Sequence, residues 1–517
     1  MAAVWYIGRS DIRSISAAQW AAAGVPGVVG SVWDAGNGWS LPKESFNGAQ
    51  LLILGADVGF NINGTDGPRP GDVDLPDETV VADRAWVASQ LTSLQNDLLD
   101  GTLVSNLRDY GAGHLANVQR ERISLGGVIG TSGKAVAAIR VDHNNKAFNE
   151  ILLPMLIARD IPASMCQFVN VFTPDPSYTN DDSTGYSWTN VQNNCNNHGI
   201  EVWNHSWTHT EVSTQAGYER EIIDSKLQLE AMMPKVRVKG FMVPGVTGNN
   251  WGNFSNNLSN MDVWHTTEAG RLIMESHASA NGGGAQLQAL NTGSTLGWQS
   301  RQIDNDTVSS TQINIIKSAQ AMKSGVITMI HPIQIDRGAG YITSAVVAEI
   351  LDYMVAERDA GRLEILTITG MMHADTERTT RNNLIRDPGF TTATTYYVGT
   401  TGYTFAGGVA TGNGTVSLLG QNVNLSGSVG WAQGSTRMCS AKFQATAGAV
   451  VRLRVYDLAT PSNFDVTKDV TLPASSNWVT VRKAISIPTN GIANLRLDFG
   501  RVSGGALNVK EPAIEAV

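Results

Sequence analysis

The chain has 517 residues, of which 42% are hydrophobic, only 16% are charged and 53 are glycine. Its formal net charge of −9 argues against the basic surface that nucleic-acid binding requires, and no run of 18 apolar residues indicates a membrane span. At roughly 150 residues per domain the length predicts about three domains, and low charge with abundant glycine favours turn-rich β-structure.

Residues 1–76 are predicted to form a β-rich N-terminal module. Short apolar runs such as Val4–Ile7 and Gly27–Trp33 are separated by Gly, Asn, Asp and Pro, which is typical of short strands joined by turns. The first ten residues carry no basic stretch followed by an apolar core, so we expect no secretory signal peptide.

Residues 77–123 are predicted to form a helical linker. Over about Asp77–Asn96 the apolar residues lie largely on one face of a helix. Two interpretations remain open at this point. The helix either packs on a neighbouring element, or it associates with copies of itself in a fibre-like homotrimer.

Residues 124–380 are predicted to form a domain in which strands and helices alternate. This alternation indicates parallel strands with crossover helices, as in an α/β barrel. The predicted strands are Ala135–Val141, Ala163–Val171, Gly199–Trp203, Val236–Val243, Val326–Ile330 and Leu363–Thr369. The predicted helices are Lys146–Arg159, Ser187–Asn197, Gln215–Met233, Thr307–Lys323 and Ala345–Arg358.

Residues 381–517 are predicted to form a C-terminal antiparallel β-sandwich. Alternating apolar runs such as Val450–Tyr456, Trp478–Ile485 and Ala493–Phe499 are separated by turn residues. The three cysteines of the chain are far apart in sequence, and we interpret them as buried, inert thiols: Cys166, Cys195 and Cys439.

Ionisable side chains follow three of the predicted barrel strands directly. Asp142 and His143 follow the first strand, His205 and His209 follow Gly199–Trp203, and His331 follows Val326–Ile330. Because the carboxyl ends of parallel strands meet at one rim of a barrel, we expect these five side chains to converge there. The remaining histidines lack this setting and are interpreted as surface or structural.

Each of these residue types suits one task in metal-assisted hydrolysis. Neutral imidazole is a good zinc ligand, and His205 and His209 are close enough in sequence to bind one ion, with His143 as the third ligand. Asp142 is a candidate general base and His331 a candidate general acid for cleavage of an amide or ester. The simpler alternatives are that Asp142 caps the following segment and that His331 is a structural residue at a strand end.

This segment resembles the polysaccharide deacetylases, the NodB-like carbohydrate esterases, over about Lys134–Met372. The resemblance is carried by RVDHN at residues 140–144, EVWNHSWTH at 201–209, FMVPG at 241–245 and MIHP at 329–332. It implies a distorted NodB-like (β/α) barrel between the two β-rich modules, and one divalent metal ion, for which Zn²⁺ is the candidate. It also implies the roles given above for Asp142 and His331, and it matches Pro244 to a motif proline.

The sequence departs from the family pattern in three places. His143 stands where the family has a metal-binding aspartate, and Met242 stands where the family has an arginine that orients the base. Arg140 is a candidate to hold Asp142 instead. The aspartate and tryptophan that support the acid histidine have two candidate pairs, Asp262 with Trp264 and Trp298 with Asp304.

The flanking segments are similar to phage tail proteins. The N-terminal WYIGRSDIRSISAAQWAAAGV and the linker TVVADRAWVASQL carry this similarity, and NLIRDPGF at 383–390 is similar to carbohydrate-binding sandwiches. We therefore expect a virion protein that acts at the host surface, with other tail proteins and a bacterial cell-wall or surface polysaccharide as partners. Sugar contacts are predicted for Pro244, Trp207, Trp264 and Trp298.

Three functions are compatible with the sequence. The favoured hypothesis is a metal-dependent enzyme that removes acetyl groups from N-acetylated sugars. The alternative is a catalytically reduced, deacetylase-like adhesin, for which the missing arginine at position 242 is the main support. The third possibility is an O-acetyl esterase that uses the same residues.

Overall fold

A computed structural model describes most of the chain from residue 112 onwards. Within residues 112–517 it describes all but 173–184, 246–249, 258–263, 285–286, 291–296, 415–416, 426–431, 446–447, 474 and 490–491. Before residue 112 it describes only short stretches of the first 61 residues. The predicted helix at 77–96 therefore lies outside the described residues, and so does Asp262. The chain divides into two compact units, Met1–Asn96 and Asp97–Val517.

The described part of the first unit consists of short antiparallel strands. They are β1 (Ala3–Tyr6), β2 (Arg13–Ile15), β3 (Ser31–Trp33), β4 (Ser40–Pro42) and β5 (Phe60–Asn61). β1 pairs with both β4 and β5, and β2 pairs with β3. The β-rich character predicted for this region is confirmed for these strands.

The centre of the second unit is a closed barrel of seven parallel strands. They are β7 (Ala135–Asp142), β8 (Ala163–Gln167), β9 (Ile200–Asn204), β10 (Val238–Met242), β11 (Ala280–Gly283), β12 (Gly297–Gln302) and β13 (Gly325–Ile330). Each strand pairs with the next, and β13 pairs with β7 to close the barrel. The short β14 (Leu363–Ile365) adds to the first half of β7, and β6 (Ile129–Gly130) pairs with β15 (Ala374–Asp375) in a separate two-stranded parallel sheet. The predicted α/β barrel is confirmed.

Helices cover the outside of the barrel and bury its apolar residues. The longer ones are Ala112–Leu125, Trp188–His198, Glu268–Ser276, Ser310–Met322 and Ser344–Asp359. The predicted helices at 146–159 and 215–233 each contain a π-helical stretch, Phe148–Leu152 and Arg220–Asp224. Among the described residues, no helix combines the length and apolarity needed to cross a membrane.

Two barrel strands were not predicted from the sequence. β11 reads ANGG and β12 reads GWQSRQ, so neither has the apolar run by which a buried parallel strand is identified. Both strands are nevertheless largely buried. Their polar residues Asn281 and Ser300 are fully buried and bond to each other, and Asn281 also accepts a hydrogen bond from Arg140 of β7. The interior of the barrel is polar around Asn281 and Ser300, so β11 and β12 lack the apolar pattern on which the strand prediction depended.

The C-terminal region consists of two antiparallel sheets that enclose an apolar core. One sheet has five strands: β16 (Tyr403–Ala406), β17 (Val409–Gly412), β24 (Leu507–Ala516), β19 (Thr436–Ala445) and β22 (Ser475–Ser486). The other has four: β18 (Ser417–Asn424), β23 (Asn494–Ser503), β20 (Val450–Asp457) and β21 (Asp465–Thr471). The predicted antiparallel sandwich is confirmed, whereas the exact boundaries at 76, 123 and 380 stay predictions.

The sandwich packs against the amino-terminal end of the barrel. Gly199, which precedes β9, has a φ of +66°, and a Cβ there would lie 2.6 Å from Cβ of Ala484 in β22. Asp160, which precedes β8, pairs with Lys468 of β21 at 2.6 Å. These contacts place the sandwich at the end of the barrel opposite to the carboxyl ends of the strands.

A buried ion cluster joins the helix Ala112–Leu125 to β10 at this interface. Glu121 is 1% exposed and accepts hydrogen bonds from Arg237 (2.8 and 3.1 Å) and from Lys239 (2.7 Å). Lys239 also donates to the carbonyl oxygen of Gly434, in the sandwich. Burial alone would raise the pKa of Glu121, but the two cations outweigh it and lower the pKa to about 2.

Replacing Glu121 with glutamine is expected to lower the free energy of unfolding by about 3–5 kcal/mol, because the buried Lys239 and the partly buried Arg237 lose their counter-charge. Because the pKa of Glu121 is lowered in the folded state, its ion pairs stabilise the wild type fully above pH 4.5. This contribution is lost as the pH falls towards about 2. Urea unfolding at several pH values measures both effects. Glu511→Gln is the control, because its pair with Lys442 is 54% exposed on the glutamate side and is expected to change stability by less than about 1 kcal/mol. Equal urea midpoints for the two variants would contradict this assignment.

Candidate active site

The five side chains predicted to converge do meet at the carboxyl-terminal rim of the barrel. Asp142 ends β7, His205 directly follows β9 and His331 directly follows β13. Strands β7 and β13 are paired, so Asp142 and His331 lie side by side. The Nε2 atom of His331 is 3.4 Å from Oδ2 of Asp142.

Three histidines form a compact cluster next to this pair. His143, His205 and His209 are all buried, and each offers a ligand atom within 4.8 Å of the others. The ring centroids of His205 and His209 are 4.8 Å apart, and that of His143 is 5.5 and 5.2 Å from them. The three imidazoles therefore surround one small volume.

The lowered pKa values of His205 and His209 suit metal binding. Burial, followed by the proximity of His143, lowers the pKa of His209 to about 3, and burial also holds the pKa of His205 well below its usual range. Nδ1 of His205 donates to the carbonyl oxygen of Met242 at 2.7 Å, which leaves Nε2 as the ligand atom. That Nε2 is buried without a hydrogen-bond partner. A neutral, buried nitrogen acceptor of this kind fits a metal ion.

A second possible ligand set shares His205. Asp142, Cys166 and His205 also offer atoms within 4.8 Å of one another. Burial, followed by the Asp142 carboxylate, raises the pKa of the Cys166 thiol well above its usual range, so it is not a thiolate. The set of three histidines is therefore the better donor set, and it fits zinc or a similar divalent ion.

The loop that carries His205 and His209 is held from behind by two polar side chains. Oδ1 of Asn204 accepts from the backbone N–H of Ser206, at 3.0 Å. The carboxylate of Glu221 accepts from the backbone N–H groups of Trp207 and Thr208, both at 2.8 Å. His209 itself adopts a left-handed backbone conformation, with φ of 59°. The loop geometry is thus fixed by bonds to strand β9 and to the π-helical stretch Arg220–Asp224.

Asp142 is held by Arg140, as the sequence suggested. Nε and Nη2 of Arg140 donate to the two carboxylate oxygens of Asp142 at 2.6 and 2.7 Å, and both side chains are buried. Burial alone would raise the pKa of Asp142, but the Arg140 guanidinium outweighs it and holds the pKa well below its usual range. Asp142 is therefore an oriented carboxylate, and both of its oxygens bond to Arg140.

His331 is held by Asp304, one of the two aspartates that the sequence left as candidates for this role; the other, Asp262, lies outside the described residues. Asp304 accepts from Nδ1 of His331 at 2.7 Å and from its backbone N–H at 3.0 Å. Burial alone would lower the pKa of His331, but the carboxylates of Asp142 and Asp304 outweigh it and raise the pKa. Nε2 is the nitrogen that faces Asp142.

A pocket of about 220 Å³ opens beside this group. It is lined by His143, Asn144, Gln302, Asp304, His331, Ile333 and Gln334. Three of these residues are amides and no lining residue is a lysine or arginine. Its composition fits a neutral, hydrogen-bonding ligand better than an anionic one.

The sugar contacts predicted for two tryptophans are corrected by the structure. Trp264 is 0% exposed within an apolar cluster, and Trp298 is 4% exposed inside the barrel. A sugar ring cannot stack on an enclosed indole. Trp207 is partly buried with Arg220 5.2 Å from its ring centroid, and Pro244 is buried after β10. Neither Trp207 nor Pro244 lines the pocket.

The remaining cysteines and histidines take structural positions. All three cysteines are buried and free, as predicted. His114, His277 and His373 are buried in packed regions rather than exposed. His277 lies behind the loop that carries His205 and His209, with Nε2 3.2 Å from Nδ2 of Asn204.

Several residues of the site were missed by sequence analysis. Gln302 donates to Asp304 at 2.6 Å and lines the pocket, and Asn281 accepts from Nη1 of Arg140 at 2.9 Å. Both lie on the strands that lack an apolar run. Glu221 is 2% exposed and accepts hydrogen bonds from the loop that carries His205 and His209. No signal in the sequence alone marks these three residues.

Comparison with known proteins finds only distant structural similarity. No protein-family model and no curated protein matches the chain. Among solved structures, a peptidoglycan N-acetylglucosamine deacetylase is 13% identical, covering 48% of this chain and 94% of that one, with a TM-score of 0.27. A family 4 acetyl xylan esterase from Clostridium thermocellum, in complex with a cobalt ion, is 16% identical over 46% and 89%, with a TM-score of 0.26. A family 61 carbohydrate-binding module in complex with β-1,4-galactotriose is 12% identical over 26% and 99%, with a TM-score of 0.18. At these values an activity must be inferred from the side chains of the site.

Proposed function

We propose that the chain is a metal-dependent hydrolase that removes acetyl groups from N-acetylated sugars of a bacterial cell-wall or surface polysaccharide, as part of a phage tail. One observation carries the catalytic part of this proposal. Three buried histidines, one with an unpartnered Nε2, lie directly beside an oriented aspartate and a histidine with a raised pKa. This combination supplies a ligand set, a base and an acid in one place.

His143, His205 and His209 would hold the metal ion. When bound, a divalent cation acts as a Lewis acid that lowers the pKa of water and polarises a carbonyl oxygen. Three protein ligands leave a position for water or substrate, as in catalytic zinc sites. Neutral ligands leave more positive charge on the ion than the Asp-His-His set of the family that the sequence resembles.

Asp142 and His331 would perform the proton transfers. Asp142, ionised at neutral pH, accepts a proton from the attacking water. His331, whose Nε2 carries a proton because its pKa is raised, donates that proton to the nitrogen that leaves when the C–N bond breaks. The oxygen of the attacking water stays bonded to the acetyl carbon, and the acetyl group leaves as acetate. The 3.4 Å separation of His331 Nε2 and Asp142 Oδ2 allows the proton to return to His331 after turnover.

The substrate class rests on the pocket and on the sequence resemblance. Amide side chains line the pocket, and they suit the hydroxyl and acetamido groups of a sugar. N-deacetylation is proposed over O-deacetylation because the acid His331 is placed to protonate a poor leaving group. The phage-tail setting, the virion location, the tail-protein partners and the homotrimer stay predictions of the sequence alone.

The adhesin alternative loses its main support in this structure. It relied on Met242, which stands where an arginine would orient the base. Arg140 supplies that guanidinium from strand β7 and contacts both oxygens of Asp142. This contact supports the hydrolase over the adhesin.

Acetate release tests the proposal. Protein loaded with Zn²⁺ or Co²⁺ is expected to release acetate from N-acetylglucosamine oligomers or bacterial wall material, and protein stripped with a chelator is not. Metal analysis is expected to give about one ion per chain. Stoichiometric metal without acetate release from any of several substrates would favour the adhesin, and absence of bound metal would contradict the hydrolase.

The pH dependence of kcat/KM is expected to follow the protonation of His331. Its acid form is lost as the pH rises through its raised pKa, so kcat/KM falls on the alkaline side. Asp304→Asn removes one of the two carboxylates that raise this pKa, and the alkaline limb is expected to move to lower pH. Asp306→Asn is the control, because Asp306 bonds Arg301 at 2.6 Å instead. An alkaline limb at the same pH in all three proteins would contradict the role of His331.

A further inference from the structure

A chain of buried polar side chains crosses the inside of the barrel below the candidate site. Nη1 of Arg140 donates to Oδ1 of Asn281 at 2.9 Å, and Oγ of Ser300 donates to the same oxygen at 2.6 Å. Nδ2 of Asn281 donates to the carbonyl oxygen of Trp298 at 2.9 Å. Asn281 thus uses both ends of its amide, and its side chain is fixed by three bonds.

The location of Asn281 makes it a partner across the barrel rather than a neighbour in sequence. Arg140 lies on β7 and Asn281 on β11, and strands β12 and β13 separate them in the sheet. Arg140, Asn281 and Ser300 are at most 2% exposed. No water can replace a lost partner readily in so enclosed a place, and a buried cation with an unpaired N–H is costly.

We propose that Asn281, held by Ser300, is a positioning residue that sets the orientation of Arg140 and, through it, of the Asp142 carboxylate. This inference rests on the proposed function, in which Asp142 accepts the proton. The guanidinium is a rigid planar fork, so fixing Nη1 fixes the direction in which Nε and Nη2 meet Asp142. Asn281 does not line the pocket and does not belong to either possible set of metal ligands.

The geometry explains how an arginine on β7 orients the base. An arginine two residues before Asp142 on the same strand points into the same barrel interior as the carboxylate. Its long side chain needs an acceptor on the far wall, or it is free to swing away from Asp142. Asn281 provides that acceptor. Ser300 and the Trp298 carbonyl hold Asn281 itself in place, and this arrangement accounts for the polar sequences of β11 and β12.

The test compares Asn281→Leu with Asn281→Asp. Leucine has a similar shape but offers no acceptor, and misorientation of Asp142 is expected to lower kcat by about 10–100-fold, since small displacements of a catalytic group have effects of this size. KM is expected to change by less than about twofold and metal content to stay at the wild-type level. Aspartate keeps an acceptor for Arg140 and Ser300, and is expected to restore most of kcat. Ser300→Ala is expected to lie between the two.

Gln312→Leu is the matched control. Gln312 is also a fully buried amide that accepts from an arginine, Nη1 of Arg301 at 2.8 Å, but it does not contact Asp142. This variant is expected to lower the melting temperature without changing kcat. If Asn281→Leu likewise changes only the melting temperature, the positioning role is wrong.

Crystal structures of the variants give a readout that does not depend on activity. The two-pronged contact between Arg140 and Asp142 is expected to be broken or shifted in Asn281→Leu and retained in Asn281→Asp. An unchanged contact in Asn281→Leu would overturn the inference even if the wild type proves inactive. An inactive wild type with a shifted contact in Asn281→Leu would refute the proposed function and leave the positioning role of Asn281 supported.

Discussion

Substitution of His205 by alanine is expected to abolish both metal binding and acetate release. Nε2 of His205 is buried and lacks a hydrogen-bond partner, and its tautomer is fixed by the bond from Nδ1 to Met242. A structural zinc site with four ligands supplies ~10–16 kcal/mol, so one ligand accounts for about 3 kcal/mol, or roughly 100–1,000-fold in affinity. Turnover should fall at least as far, because the remaining two histidines cannot hold the ion in place.

Metal analysis after dialysis against micromolar Zn²⁺ measures this effect directly. His198→Ala provides the control, since His198 is also partly buried but bonds to Lys483 at 3.1 Å, away from the cluster. The control is expected to keep about one ion per chain and full activity. Equal, near-zero metal in wild type and His205→Ala would remove the basis of the hydrolase proposal, and an ion retained by His205→Ala would show that another set of residues binds it.

The position of the site could be predicted because three barrel strands have largely apolar sequences. β7, β9 and β13 are each buried along their whole length. The polar residues at their carboxyl ends can therefore be recognised in the sequence as the points where the strands end. Parallel strands bring their carboxyl ends to one rim, so the chain position of Asp142, His205 and His331 was sufficient to predict that they meet.

The supporting residues could not be predicted for the complementary reason. Asn281 and Ser300 make the barrel interior polar, and this removes the apolar pattern by which β11 and β12 would have been found. Asp304 follows β12, so its pairing with His331 became evident only once that strand was placed. Strands that accommodate a buried ionic group inside a barrel therefore lack the apolar pattern by which sequence analysis identifies buried strands.

The sugar contacts predicted for Trp264 and Trp298 were wrong for a related reason. An aromatic residue in a sequence indicates a large apolar surface, but not whether that surface faces the core or a ligand. Trp298 belongs to the buried cluster that also contains Ile327 and Trp203, so its indole is part of the core of the barrel. Under the proposed function the amides of the pocket supply the sugar contacts instead.

Asp142→Asn is expected to lower kcat by about 10²–10⁴-fold while the metal stays bound. Asparagine cannot accept the proton, and general base catalysis contributes an effect of this size. The three histidines do not include Asp142, so metal content should stay near one ion per chain. The change also leaves the Arg140 guanidinium buried without its counter-charge, which is expected to cost about 3–5 kcal/mol of stability.

The double variant Arg140→Met/Asp142→Asn separates these two effects. Removing the buried cation together with its partner is expected to recover most of the lost stability, because no uncompensated charge remains. Turnover should stay as low as in Asp142→Asn. Urea unfolding, metal analysis and acetate release are measured on the same preparations. If Asp142→Asn keeps more than about a tenth of wild-type kcat, another group accepts the proton. If the double variant regains activity along with stability, the loss in Asp142→Asn reflected misfolding, and Asp142 serves the barrel as the counter-charge of Arg140 rather than the reaction as its base.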